Sequence, residues 1–219
     1  MTEIREKSRS ALCESPAEEV ASAVTHGFGV VISIVGLVMM LNVSAGDPWR
    51  ITGAAIFGST LILLYLSSTL YHSFSGSRIK SIMQVIDHSA IYLLIAGSYT
   101  PLTLVTLRGP WGWSLLGVVW FMAIGGVVIK SVMKNNREHW ISTAIYIVMG
   151  WLAVIAAGPL IRELPIGGLV LLVAGGLCYT GGVAFFVWQS LKYNHAIWHL
   201  FVLAGSVCHA LAVILYVLK

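Results

Sequence analysis

Residues 51–71 read ITGAAIFGSTLILLYLSSTLY, an apolar run without a charged side chain that ends directly before His72. A helix needs about 20 consecutive apolar residues to cross the hydrocarbon core of a bilayer. This run therefore predicts a membrane-spanning helix. The chain contains six more runs of this kind, at about residues 21–41, 83–104, 113–132, 140–160, 166–188 and 195–218.

The composition of the whole chain is that of an integral membrane protein. Of its 219 residues, 58% are hydrophobic and only 10% are charged, whereas soluble domains carry about 25% charged residues. We expect an all-α fold of seven transmembrane helices, with a polar tail at residues 1–16 and a single membrane domain at residues 17–219. The net charge of +4 does not indicate a nucleic-acid partner, because basic residues in the loops of membrane proteins usually set the topology.

The basic residues are distributed unequally between the two sides of the predicted bundle. Nine lie in the amino-terminal tail and near the loops that follow the second, fourth and sixth spans, and four lie on the other side. Cytoplasmic loops carry an excess of lysine and arginine. The sequence therefore predicts a cytoplasmic amino terminus and a carboxyl terminus outside.

Several ionisable residues fall at the predicted cytoplasmic ends of three different spans. His72 ends the second span, Asp87 and His88 lie about one turn into the third, and His195 and His199 begin the seventh. Only the loop charges determine which ends share a side, so this convergence is not built into the assignment of spans. We expect the five side chains to lie at similar depth near one membrane face.

The spacing of these residues indicates a metal site. His195 and His199 are four residues apart, so their imidazoles share one helix face and can bind one ion. Three histidines would leave a fourth position open, which is the pattern of a catalytic zinc site. Asp87 would be costly to bury without a nearby cation, and it could accept a proton from a metal-bound water. Ser68, four residues before His72, could orient it, touch a ligand or serve packing alone.

Other polar residues near the same face have less definite predicted roles. His26 could approach the cluster or lie at the membrane interface. Glu18 and Glu19 could pair with basic headgroups or with helix amides. The paired glycines at 125–126, 175–176 and 181–182 indicate close helix packing or local bending. Three histidines are not predicted to be ligands: His88, which points about 100° away from Asp87 around the helix, His139 in a loop, and His209, which lies about 15 Å beyond His199.

Four segments together resemble the bacterial hemolysin III family, a branch of the progestin and adipoQ receptor family that includes the adiponectin receptors. They are EEVASAVTHG at 18–27, STLYH at 68–72, DHSAIYLLIAGSYTP at 87–101 and YNHAIWH at 193–199. The resemblance covers nearly the whole chain from about residue 17. It implies zinc, with His72, His195 and His199 as ligands, Asp87 holding the zinc-bound water, and Ser68 nearby.

The resemblance also implies a location and a function. Bacterial members of the family look like multi-pass inner-membrane proteins of lipid homeostasis, and the site is similar to that of alkaline ceramidases. We therefore expect a zinc-dependent hydrolase of lipid amides or esters, with membrane lipids as partners. Two alternatives stay open, a sensor in which zinc is structural and a cytolytic pore former. The sequence does not name the substrate or the oligomeric state.

Overall fold

The described part of the chain folds as a bundle of seven helical spans of membrane length, which confirms the predicted fold class. The computed structural model describes residues 15–132 and 138–219, and this part contains no β-strand. Residues 1–14 of the predicted tail and residues 133–137 lie outside the described part. The helices are α1 (Pro16–Val43), α2 (Pro48–Ser73), α3 (Ser77–Pro101), α4 (Pro110–Val132), α5 (Glu138–Trp151), α6 (Ala157–Glu163), α7 (Ile166–Val187) and α8 (Asn194–Ala212).

The first two helices begin at well-formed caps. Ser15 and Glu18 make a capping box, in which the Ser15 hydroxyl accepts the Glu18 amide and the Glu18 carboxylate accepts the Ser15 amide at 2.9 Å. Asp47 caps α2 by accepting the amides of Trp49 and Arg50 at 2.8 and 3.2 Å. Both helices have proline in their first turn, where a missing N–H costs nothing. These caps define where the two spans begin.

The fifth span is not one continuous helix, which differs from the prediction for residues 140–160. A 3₁₀ turn, Leu152–Ala156, separates α5 from α6. The cause is Tyr99, whose hydroxyl donates to the Gly150 carbonyl at 2.8 Å and accepts the Ala153 amide at 2.9 Å. A side chain that inserts into the hydrogen-bond ladder interrupts an α-helix. Two π-helical turns, Leu102–Thr106 after α3 and Val213–Val217 after α8, extend the third and the seventh span.

The packing of the bundle brings four helix ends together. α1 packs against α2 and α8, α2 packs against α3, and α7 packs against α8. α3 is buried along most of its length, whereas α7 is buried along little of it. The amino-terminal ends of α1, α3 and α8 and the carboxyl-terminal end of α2 therefore meet at one face of the bundle. The predicted ligands lie on two of these four ends.

Two neighbouring glycines in α4, Gly125 and Gly126, differ in how closely they pack against the rest of the bundle. A Cβ at Gly126 would overlap the ring of Tyr92, which is fully buried and packs on Tyr146 at 4.5 Å between ring centroids. We expect Gly126→Ala to lower the free energy of unfolding by about 1–3 kcal/mol, because the ring has no space to retreat. Thermal unfolding in detergent measures the loss.

The matched control is the adjacent glycine. A Cβ at Gly125 meets no atom within 4 Å, and alanine favours a helix over glycine by up to about 1 kcal/mol. Gly125→Ala should therefore leave stability unchanged or slightly raised. Equal stability of the two variants would contradict the predicted contact between α4 and Tyr92.

Candidate metal centre

Three histidines from two helices form a compact cluster at the face where the four helix ends meet. His72 is in the last turn of α2, and His195 and His199 are in the first two turns of α8. One ring nitrogen of each lies within 4.8 Å of the others. The ring centroids are 4.6 Å apart for His195 and His199, and 4.9 and 5.1 Å from His72 to these two rings. The predicted metal-binding residues therefore lie together in space.

Two of the imidazoles are oriented by oxygen atoms of α1. Nδ1 of His72 lies 2.8 Å from Oε2 of Glu19, and Nδ1 of His199 lies 3.3 Å from the carbonyl oxygen of Ser22. Both oxygens can only accept, so each Nδ1 carries the hydrogen and donates it. The lone pair of each ring is then at Nε2, which is the arrangement that metal-binding histidines usually have.

The chemistry of the cluster fits a transition-metal ion. His199 is fully buried, and its Nε2 makes no hydrogen bond to any residue that the structure describes. A buried polar atom without a partner is costly in a protein interior, and a metal ion would remove that cost. A group of this composition and geometry could hold a metal ion with at least one coordination position left for another ligand.

A fourth histidine supports the cluster without belonging to it. His26 of α1 is buried and stacks on His199, with the ring centroids 3.4 Å apart and the planes inclined by 13°. The edge of its ring also meets Tyr65, whose hydroxyl donates to Ser206 at 2.7 Å. The sequence allows His26 to lie beside the cluster or at the membrane interface. In the structure it lies beside the cluster.

Asp87 is close to the cluster in the fold but is not a member of the ligand group. Its carboxyl group is buried in α3, beside the Ser68 hydroxyl of α2 and the Lys130 side chain of α4. Ser68 is one helical turn before His72 on the same helix. The roles predicted for Asp87 and Ser68 stay predictions.

With this geometry established, comparison with known proteins defines the family. A family model described as haemolysin-III related matches residues 15–210. The chain belongs to the haemolysin III family. It is 46% identical over 203 residues to hemolysin-3 of Bacillus cereus, which covers 92% of both chains. It is 47% identical over 204 residues to the hemolysin-3 homolog of Bacillus subtilis (strain 168), covering 92% of this chain and 95% of the other.

The similarity extends to an animal protein. The human monocyte to macrophage differentiation factor is 30% identical over 208 residues, which covers 92% of this chain and 85% of that one. The segment that matches the haemolysin III model includes all the histidines of the cluster and Asp87. This is a multi-pass membrane protein of the haemolysin III type, with a buried histidine group that could bind a metal.

An apolar cavity in this haemolysin III protein is lined by His26, which stacks on His199, but by none of the three clustered histidines among the described residues. Asp87, His26 and Lys130 line it, together with side chains of α5, α7 and α8 such as Tyr146 and Trp198. Its walls are mostly hydrocarbon and aromatic, with a few polar side chains such as that of Asp87.

Sequence reasoning missed two residues of this haemolysin III site. Glu19 contacts His72, and Lys80 of α3 contacts Glu19 at 2.6 Å. The capping box is the sequence signal that could have indicated this contact of Glu19. Ser15 pairs with Glu18, so the next residue, Glu19, points about 100° away around the helix and is available for another partner. Two of the histidines that are not predicted as ligands lie outside the group that could hold a metal, among the described residues. His88 and His209 lie outside the ligand group, and residue 139 falls in the first turn of α5 instead of a loop.

Proposed function

We propose that this protein is a zinc-dependent hydrolase of membrane lipids. The observation that carries the proposal is the buried cluster of His72, His195 and His199, whose neighbour His26 lines an apolar cavity together with Asp87. A buried carboxyl group, a cluster that could bind a metal and an apolar cavity are parts that a metal-dependent lipid hydrolase could use. The relatives at 46–47% identity establish membership of the haemolysin III family, and the activity is what the proposal adds.

The donor set favours zinc over other common ions. All three side chains offer imidazole nitrogen, which suits zinc, copper, iron and nickel and does not suit magnesium or calcium. Three histidines with an open position are a common ligand set of catalytic zinc. Bound zinc would supply a Lewis acid that polarises a carbonyl oxygen and makes water a better nucleophile at neutral pH.

The protein's own residues would then divide the remaining tasks. The Asp87 carboxylate would accept a proton from the attacking water and return it to the leaving nitrogen or oxygen. Ser68 would orient that carboxylate, and the cavity would hold the acyl chain and exclude bulk water. Water adds across an acyl C–N or C–O bond, which yields a fatty acid and an amine or alcohol.

The location of the site follows from the proposed topology. We place the protein in the bacterial inner membrane with its amino terminus in the cytoplasm, so the histidine cluster lies near the cytoplasmic face. Lys130, which is one of the nine basic residues near the predicted cytoplasmic loops, is buried in α4. The other basic residues still favour this orientation. The protein would act on lipids of the inner leaflet and serve membrane lipid homeostasis.

The direct test uses purified full-length protein loaded with zinc. We expect about one zinc ion per chain and zinc-dependent release of fatty acid from at least one amide- or ester-linked lipid. Mass spectrometry of a broad lipid panel detects the products, and chelator-treated protein is the control. Zinc-loaded protein that releases no fatty acid from any lipid would overturn the hydrolase proposal.

A second candidate function is a sensor in which the ion is structural. The observation that favours it is the origin of the ligands, because one lies on α2 and two lie on α8, far apart in the chain. An ion that joins these helices would brace the bundle and stabilise it by mass action. This candidate predicts a large zinc-dependent rise in thermal stability without any product.

A further inference from the structure

The first turn of α1 contacts three other helices around the metal cluster. Glu18 accepts the amide of Tyr193 at 2.8 Å, directly before α8. Glu19 contacts His72 at the end of α2 and Lys80 in the first turn of α3. Two adjacent carboxylates thus point to different helices, and only the second one contacts a predicted ligand.

We propose that Glu19, held by Lys80, is a positioning residue that fixes the His72 imidazole for metal binding. The proposal rests on the metal-binding part of the proposed function and does not depend on hydrolysis. It assigns Glu19 a task distinct from the helix capping that acidic residues commonly perform in a first turn.

The carboxylate determines which ring nitrogen of His72 is available. A carboxylate accepts hydrogen bonds and donates none, so the contact of 2.8 Å requires the hydrogen on Nδ1. The lone pair of the neutral ring is then at Nε2. A carboxamide at position 19 could instead donate its own N–H to Nδ1, which would leave the hydrogen on Nε2 and remove the ligand atom.

Lys80 restricts the rotation of the Glu19 carboxylate that orients His72. Its Nζ lies 2.6 Å from Oε1 of Glu19 and 4.9 Å from the centre of the Tyr71 ring. The Glu19 and Lys80 side chains are only 18% and 25% exposed, so the pair is partly shielded from solvent. With one oxygen bound to Lys80 and the other to His72, the Glu19 side chain has little freedom to rotate.

The test measures metal affinity and coordination geometry in the full chain. Glu19→Gln is expected to weaken zinc binding about 10–100-fold, the usual effect of removing an outer partner of a metal-binding histidine. Competition with a chelator of known affinity measures the loss in detergent-solubilised protein. The visible absorption bands of the cobalt-loaded protein report geometry, and we expect Glu19→Gln to change their position and intensity.

Three other variants separate positioning from general effects. Glu163→Gln removes an exposed charge at the end of α6 and should leave zinc affinity and cobalt spectrum unchanged. Glu18→Gln retains an oxygen that accepts the Tyr193 amide and should weaken zinc binding less than Glu19→Gln. Lys80→Met should weaken it by an intermediate factor, because the carboxylate remains but is less restrained.

The outcomes decide between positioning and a merely structural role. Wild-type affinity in Glu19→Gln, with zinc bound normally by the wild-type protein, overturns the positioning role and leaves the metal site intact. Failure of the wild-type protein to bind zinc or cobalt overturns both the positioning role and the proposed function. If Glu19→Gln does not fold, Glu19→Asp and Lys80→Met provide the test, and an unchanged cobalt spectrum in both rejects the proposal.

Discussion

Replacement of His199 by alanine is expected to reduce the zinc content of the purified protein from about one ion per chain to nearly none. His199 is fully buried and belongs to the compact group whose ring nitrogens lie within 4.8 Å of one another. Two imidazoles remain in the variant, which is one fewer than a stable protein zinc site normally has. Elemental analysis after dialysis against a weak chelator measures the content.

The same variant should lose its stabilisation by zinc. A ligand that binds only the folded state adds about 2.7 kcal/mol at a concentration 100 times its dissociation constant. Zinc should therefore raise the unfolding temperature of the wild-type protein and leave that of His199→Ala unchanged.

His209→Gln is the matched control for the loss of a histidine from the same helix. Nε2 of His209 lies 3.1 Å from the Leu172 carbonyl, and a glutamine amide can make the same contact. This variant should keep its zinc, since His209 lies outside the ligand group. Zinc retained by His199→Ala would show that the histidine cluster is not the metal site, whereas zinc lost from both variants would show that the loss is not specific to the cluster.

The spans and the grouping of the three histidines could be predicted because short-range rules largely determine them. An uncharged run of about 20 residues has few alternatives to a membrane helix. His195 and His199 share a face because a helix repeats every 3.6 residues, and this holds wherever α8 lies. His72 could be added because loop charges placed the end of α2 and the start of α8 on one side.

The outer parts of the site depend on packing that no local pattern contains. Glu19 looks like an ordinary acidic residue of a first turn, and its contact with His72 exists only because α1 packs against α2. Lys130 is one of the nine basic residues that the sequence places near the cytoplasmic loops, yet it is buried beside Asp87. The 3₁₀ turn in the fifth span results from Tyr99, a residue of another helix.

Asp87 is the residue that best separates a hydrolase from a zinc-braced sensor. It is buried and lines the apolar cavity, but it does not belong to the ligand group. A buried carboxylate in a membrane helix is costly, and such residues usually have a function that retains them. In a hydrolase that function is proton transfer, whereas a sensor requires only the three histidines.

Asp87→Asn is therefore expected to keep about one zinc ion per chain and to lower the turnover of a lipid substrate at least about 100-fold. General acid–base groups contribute about 100- to 10,000-fold to a rate, and asparagine cannot accept the proton. Zinc content and fatty-acid release are measured on the same preparation. Ser68→Ala should cause a smaller loss, because the carboxylate remains and only its orientation is affected.

The control for Asp87→Asn is the same substitution at the start of α2. Asp47 caps that helix through its side-chain oxygen, and asparagine caps helices about equally well. Asp47→Asn should retain both zinc and turnover. Wild-type turnover in Asp87→Asn would remove Asp87 as the proton acceptor, whereas zinc lost together with turnover would place Asp87 in metal binding. Only the expected combination, zinc retained and turnover lost, assigns the carboxylate to the chemistry and makes the zinc catalytic.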